Sequence, residues 1–266
     1  MDRLMVLCVE AAGCPVEAQL NGLPVATLGP KGGRVSLAVH EYVLAGRNQI
    51  TLSIWPAPPN VAVQPAPRVA IGPTWARARL LLLRQGQGVG DPNARVLASA
   101  EWAAEEGKSY EAPGQHTTDV ELPVAFPRWR WLDAPQIVLN PAVQRQILEF
   151  VQLQAIELMH GNPEAMLGVA KLRFDELALA YQETAAQVTQ RFRDHLQALY
   201  EAKALKIVPP AAEQLVLRPI VGGRLIECIS PLGGPVLRTQ NDDPALPEHA
   251  WPVRLAMVEA KIYVLR

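Results

Sequence analysis

Few side chains in this sequence combine a reactive type with a useful spacing. Glu157 and His160 stand three apart, which puts two potential metal ligands on one helix face. A di-iron carboxylate site needs that pair twice, and no second copy occurs. His160 also directly precedes Gly161-Asn162-Pro163, where a histidine suits the negative end of a helix. Asp194 and His195 are adjacent, so on a helix they point in different directions and cannot orient one another. His195 lies beside an apolar stripe and reads as a partly buried histidine at a helix–sheet interface. Asp175 and Glu176 read as an exposed helical face. The polar side chains expected on elements that face one another are Asp175, Tyr181, His195, Glu227 and Arg238, and these are the candidates to line a ligand pocket. No Ser or Cys sits in a nucleophile-elbow pattern, and no Cys/His cluster has zinc spacing. No catalytic residue, metal or cofactor is therefore assigned.

Two further motifs are weaker. Gly86-Gln87-Gly88-Val89-Gly90 follows an apolar run as a phosphate-binding loop would, but Asp91 adds negative charge and no helix follows, so it reads as a turn. Phe126-Pro127-Arg128-Trp129-Arg130-Trp131 joins the residue types that anchor interfaces, which makes Arg128, Trp129, Arg130 and Trp131 the interaction candidates. The segment lies at an expected domain boundary, and packing between the domains is the reading favoured over an outside partner.

Composition narrows the classes of function. Of 266 residues 49% are hydrophobic and 19% charged, enough apolar side chain to build real cores. The net charge is -1, spread evenly along the chain with no basic stripe, which argues against a nucleic-acid binder. No apolar run approaches the length of a membrane span or signal sequence. Cys8, Cys14 and Cys228 lack CxxC spacing and read as reduced thiols. A cytoplasmic location is the expectation.

The elements that must position these residues change character near residue 135. Before it, residues 4–9, 16–20, 23–28, 35–39 and 48–54 are short apolar runs separated by Gly, Pro and Asn, with further strands expected at 75–84, 94–102 and 117–122. Ile50, Leu52 and Ile54 alternate with Gln49, Thr51 and Ser53, as a strand with one buried face requires. The segment Gln19-Leu20-Asn21-Gly22-Leu23-Pro24-Val25, then Val35–Val39 and Gly46-Arg47-Asn48-Gln49-Ile50-Thr51-Leu52, resembles the galactose-binding-like jelly-roll sandwiches. Their "NG" hairpin and "G-x-N-x-I/L-x-L/V" strand entry use Gly for the turn and Asn to bond backbone groups. The resemblance covers about 60 residues and implies an architecture; sugar binding or packing against a neighbouring domain is what many such domains do.

After residue 135 the period becomes helical. Asn140-Pro141 starts a helix that runs to about His160, and a second is expected from 164 to 204 with Phe174, Ala178, Tyr181, Ala185, Val188, Phe192 and Leu199 as one buried stripe. Strands follow at 214–220, 223–229, 235–239, 252–258 and 261–266, turning at Gly222-Gly223, Gly233-Gly234 and Glu259-Ala260. The expected fold is thus two domains: an all-β, jelly-roll-like sandwich over 1–135, and an α+β domain of two helices packed on an antiparallel sheet over 136–266. The order of the second domain resembles the NTF2-like cone folds, which can enclose a pocket. The leading functional expectation is a non-catalytic module that binds another protein or a small ligand. The alternatives are an enzyme or small-molecule binder with a cone-like pocket, and carbohydrate binding by the sandwich.

Overall fold

The computed structural model describes residues 3–240 and 247–266. The chain forms two compact units, one of Met1–Ala57 and Val61–Arg128, the other of Pro58–Asn60 and Trp129–Arg266. The change of unit thus falls ahead of residue 135.

Unit 1 contains the strands β1 (Arg3–Ala12), β2 (Val16–Leu20), β3 (Leu23–Leu28), β4 (Gly33–Ala38), β5 (Gly46–Ile54), β6 (Ala66–Val69), β7 (Thr74–Arg84), β8 (Arg95–Ala104), β9 (Ser109–Ala112) and β10 (Gly114–Leu122). Eight of them form two four-stranded sheets, ordered β4-β1-β7-β8 and β10-β5-β2-β3, and β6 pairs with β9 as a ribbon. All these pairings are antiparallel. The sheets share one core, in which Leu7, Val9, Ala78 and Leu80 of the first meet Val16, Leu20, Ile50, Leu52 and Ile54 of the second. Alternation along β5 produces this directly, because residues two apart share a face. The expected role of Asn48 is visible at the entry to β5. Its side-chain oxygen accepts from the Leu44 N–H (2.7 Å) and Asn21 Nδ2 (2.9 Å), while its amide nitrogen donates to the Leu44 and Gly46 carbonyls. A polar side chain only 1% exposed is tolerated there because its polar atoms are bonded.

Unit 2 contains α1 (Pro141–Met159), α2 (Glu164–Val169), α3 (Lys171–Tyr181), α4 (Ala185–Glu201), β11 (Val216–Ile220), β12 (Leu225–Ile229), β13 (Leu237–Arg238), β14 (Ala250–Trp251), β15 (Val253–Val258) and β16 (Lys261–Val264). The sheet is ordered β11-β12-β15-β16, with β13 and β14 as a separate short pair. Ile147, Val151 and Leu158 of α1, Phe174 of α3 and Leu196 of α4 pack in one apolar cluster with Leu217, Ile226, Leu255 and Val264 of the sheet.

The single long helix expected over 164–204 is three helices. Gln182 adopts the left-handed conformation (φ 56°, ψ 44°) and ends α3. Thr184 then caps α4, its hydroxyl accepting from the Gln187 N–H while the Gln187 side-chain oxygen accepts from the Thr184 N–H. Thr184-Ala185-Ala186-Gln187 is a capping box, a start signal that a stripe read straight through the segment overrides. The break resets the helical phase. Ala185 is therefore exposed, whereas Val188, Leu196 and Leu199 are buried.

Candidate functional site

The five residues expected to line a pocket do not converge. Asp175 and Tyr181 lie half-buried on α3. His195 on α4 is exposed rather than interfacial, its ring 5.6 Å from that of His249. Glu227 of β12 is buried between two arginines, accepting from Arg254 Nε at 2.9 Å and from Arg218 Nε at 2.9 Å. Arg238 of β13 stands 3.5 Å from Glu248 and lines a hollow of about 260 Å³ with Val208, Pro210 and Leu232. The space between helices and sheet, where a cone would hold its ligand, is occupied by the apolar cluster. Glu176, read as an exposed face, is 3% exposed and lies 2.6 Å from Arg266 Nη1. The side chain of Glu157 is engaged by Asn162 rather than by His160, and His160 ends α1.

Of the Arg/Trp segment, Trp129 and Trp131 belong to unit 2 and are buried, at 0% and 1% exposure. The guanidinium of Arg266 lies 5.5 Å from the Trp129 ring centroid, and the Arg130 N–H donates to Glu176 Oε1 at 2.7 Å. Of the four interaction candidates, only Arg128 and Arg130 reach the surface.

A groove of about 540 Å³ runs along unit 2 between the first turns of α1 and strand β11. The side chain of Asn140 accepts from the N–H groups of Ala142 and Val143, and Pro141 occupies the first helical position, which fixes how α1 begins. Pro141, Gln144, Arg145 and Leu148 then fall at i, i+3, i+4 and i+7, one face of the helix, and all four line the groove. Facing them is β11, at the edge of its sheet, with Val216, Leu217 and Pro219. Proline suits an edge strand because it has no N–H to leave unpaired. Asn60 Nδ2 donates to the Leu217 carbonyl at 2.9 Å and brings Pro59 and Asn60 into the lining, with Leu139 and Leu215. Arg145 is the one charged lining residue, and its side chain makes no ion pair or hydrogen bond among the described residues. Sequence reasoning missed this site because a helix face of mixed Pro, Gln, Arg and Leu carries no periodic signal.

Unit 1 presents a different surface. On the outer face of the β4-β1-β7-β8 sheet the register aligns Arg34, Glu10, Arg77 and Glu101 in one row across four strands. Glu10 is the hub, 2.8 Å from Arg77 Nη2, 3.1 Å from Arg79 Nη2 and 3.7 Å from Arg34 Nε. Burial alone would raise the Glu10 carboxyl, but the hydrogen bond from Arg77 and the charges of Arg77, Arg79 and Arg34 outweigh it and hold it below the usual carboxylate range. The unfolded chain then takes up this proton first, so the stabilisation is complete above that range and is lost as pH falls through it. Glu10→Gln should therefore lose stability at pH 7 and approach the parent at pH 3 in urea unfolding; a stability gap independent of pH would refute this. Trp75, Arg77 and Glu101 line a neighbouring hollow of about 440 Å³ with Trp102. Other aromatic faces are taken: Arg68 stacks 3.9 Å over Trp55, and Trp55 Nε1 donates to the Tyr110 hydroxyl at 2.9 Å.

All three cysteines are free and buried. Burial pushes the Cys14 thiol up, and burial together with the charge of Glu227 pushes that of Cys228 up further. Thiols so held are poor nucleophiles. Among the described residues no group of three or more His, Cys, Asp or Glu side chains converges to hold a metal, and no helix is long and apolar enough to cross a membrane. Compared with known proteins, the chain matches no family model, no curated protein and no solved structure.

Proposed function

We propose that the chain is a non-catalytic binding module whose recognition site is the α1–β11 groove of unit 2. The observation that carries this reading is the groove itself, whose roughly 540 Å³ is of the size that holds small organic ligands and whose lining combines leucine and proline hydrocarbon with polar groups. Two buried carboxylates and the thiols are already engaged. Glu227 and Glu176 are neutralised by arginines, and the thiols are shielded by burial. The helices-then-sheet order supports an NTF2-like architecture for unit 2, with its interior given to packing and its ligand at the sheet edge. The two facing sheets of unit 1, between which the chain crosses repeatedly, support a galactose-binding-like, jelly-roll-like sandwich. Sugar binding there has less behind it, because the Trp55 ring is covered by Arg68.

The test is backbone-amide NMR of the full chain titrated with a set of small apolar fragments. Saturable shifts should concentrate at residues 139–148 and 212–219, and Leu215→Trp, which fills the groove, should abolish them. Fragments that bind only elsewhere, or shifts that survive Leu215→Trp, would sink the reading.

A further inference from the structure

We infer that the ligand of the α1–β11 groove is an apolar molecule ending in a single carboxylate, a medium-chain or aryl-alkyl monocarboxylate. This rests on the groove being the binding site, and it adds the ligand's charge and chemical class. Arg145 provides the only charge in the lining, with no carboxylate in the groove and no partner among the described residues. Its guanidinium offers a planar fork of N–H donors that matches the two oxygens of a carboxylate. Gln144, the neighbouring lining residue, makes no side-chain hydrogen bond among the described residues and can donate its amide to the same headgroup. Beyond these two, Leu139, Leu148 and Leu215 present hydrocarbon that would face the ligand's tail. A cationic headgroup would meet Arg145 with like charge. A polyhydroxylated ligand would leave its hydroxyls against leucine, where each unbonded one is costly. A doubly charged phosphate ester would find one cation for two charges. The single fixed charge and the apolar remainder together select a monoanion with a hydrophobic tail.

The experiment uses the full chain at pH 7 with three probes of equal length, octanoate, 1-octanol and octylammonium, followed by amide NMR and calorimetry. Octanoate should bind tightest, and Arg145→Gln should weaken it by about threefold to fivefold, the range for an ion pair at an exposed guanidinium. The same variant should leave 1-octanol within about twofold of the parent. If 1-octanol binds the groove as well as octanoate does, the carboxylate assignment falls while the groove remains the site. If Arg145→Gln weakens both probes equally, the arginine shapes the groove rather than reading charge, and the assignment falls again. If none of the three shifts residues 139–148 or 212–219, both the ligand class and the site are wrong.

Discussion

Glu176→Ala should destabilise unit 2 by about 3–5 kcal/mol, the usual cost of removing one partner of a buried ion pair. The side chain accepts from Arg266 Nη1 at 2.6 Å through one oxygen and from the Arg130 N–H at 2.7 Å through the other. Arg266 is 1% exposed, with its guanidinium against the Trp129 ring, so water does not replace the lost carboxylate. Truncation therefore removes the carboxylate from a buried cation, which keeps the Leu265 carbonyl, and the acceptor from the Arg130 N–H. The pair itself is a different matter, because attraction between the two charges is largely offset by the cost of desolvating them. Glu176→Leu combined with Arg266→Met should accordingly recover most of the loss. Urea unfolding followed by circular dichroism reads both, as a fall in midpoint at constant slope for the single variant and a return for the double one. A single-variant loss under about 1 kcal/mol would mean that Arg266 finds water or another acceptor, and the pair is not desolvated as its burial indicates.

Leu52 and Glu176 are both buried, yet only the first is legible in the sequence. Leu52 sits between Ile50 and Ile54 in strict alternation, and all three are at most 1% exposed. A strand has only two faces, so three alternating apolar side chains settle which one meets the core. Thr51 and Ser53 on the other face are also buried, at 7% exposure. The reversal at Glu259-Ala260 is legible for a similar reason. The strands on either side fix a two-residue connection, and both residues take positive φ (50° and 60°) although neither is glycine. The face of Glu176 depends instead on a helical phase that Gln182 and Thr184 interrupt, and its partner Arg266 is 90 residues away. Arg145 is illegible for a third reason. Nothing in α1 marks its outward face as a wall until β11 is placed opposite it.

Gly32→Ala should cost unit 1 about 3 kcal/mol, because strain and collision act together there. Gly32 has φ +74°, and a Cβ on it would collide with the Ala11 carbonyl oxygen and lie 2.8 Å from the Ala12 Cα. Those are backbone atoms of β1, a strand held on both sides by the ladders to β4 and β7, so they cannot swing aside as a side-chain tip would. Two other glycines separate the contributions. Gly86 has φ +83° with nothing within 4 Å of its Cβ position, so Gly86→Ala should show the conformational cost alone, about 1 kcal/mol. Gly29 has neither a positive φ nor a neighbour within 4 Å, and Gly29→Ala should stay within about 0.5 kcal/mol of the parent. Urea unfolding of the three variants should rank them Gly32, Gly86, Gly29 in order of loss. If Gly32→Ala costs no more than Gly86→Ala, the connection from β3 to β4 moves away from β1 to admit the methyl group, and the close approach at Ala11 is not fixed by the fold.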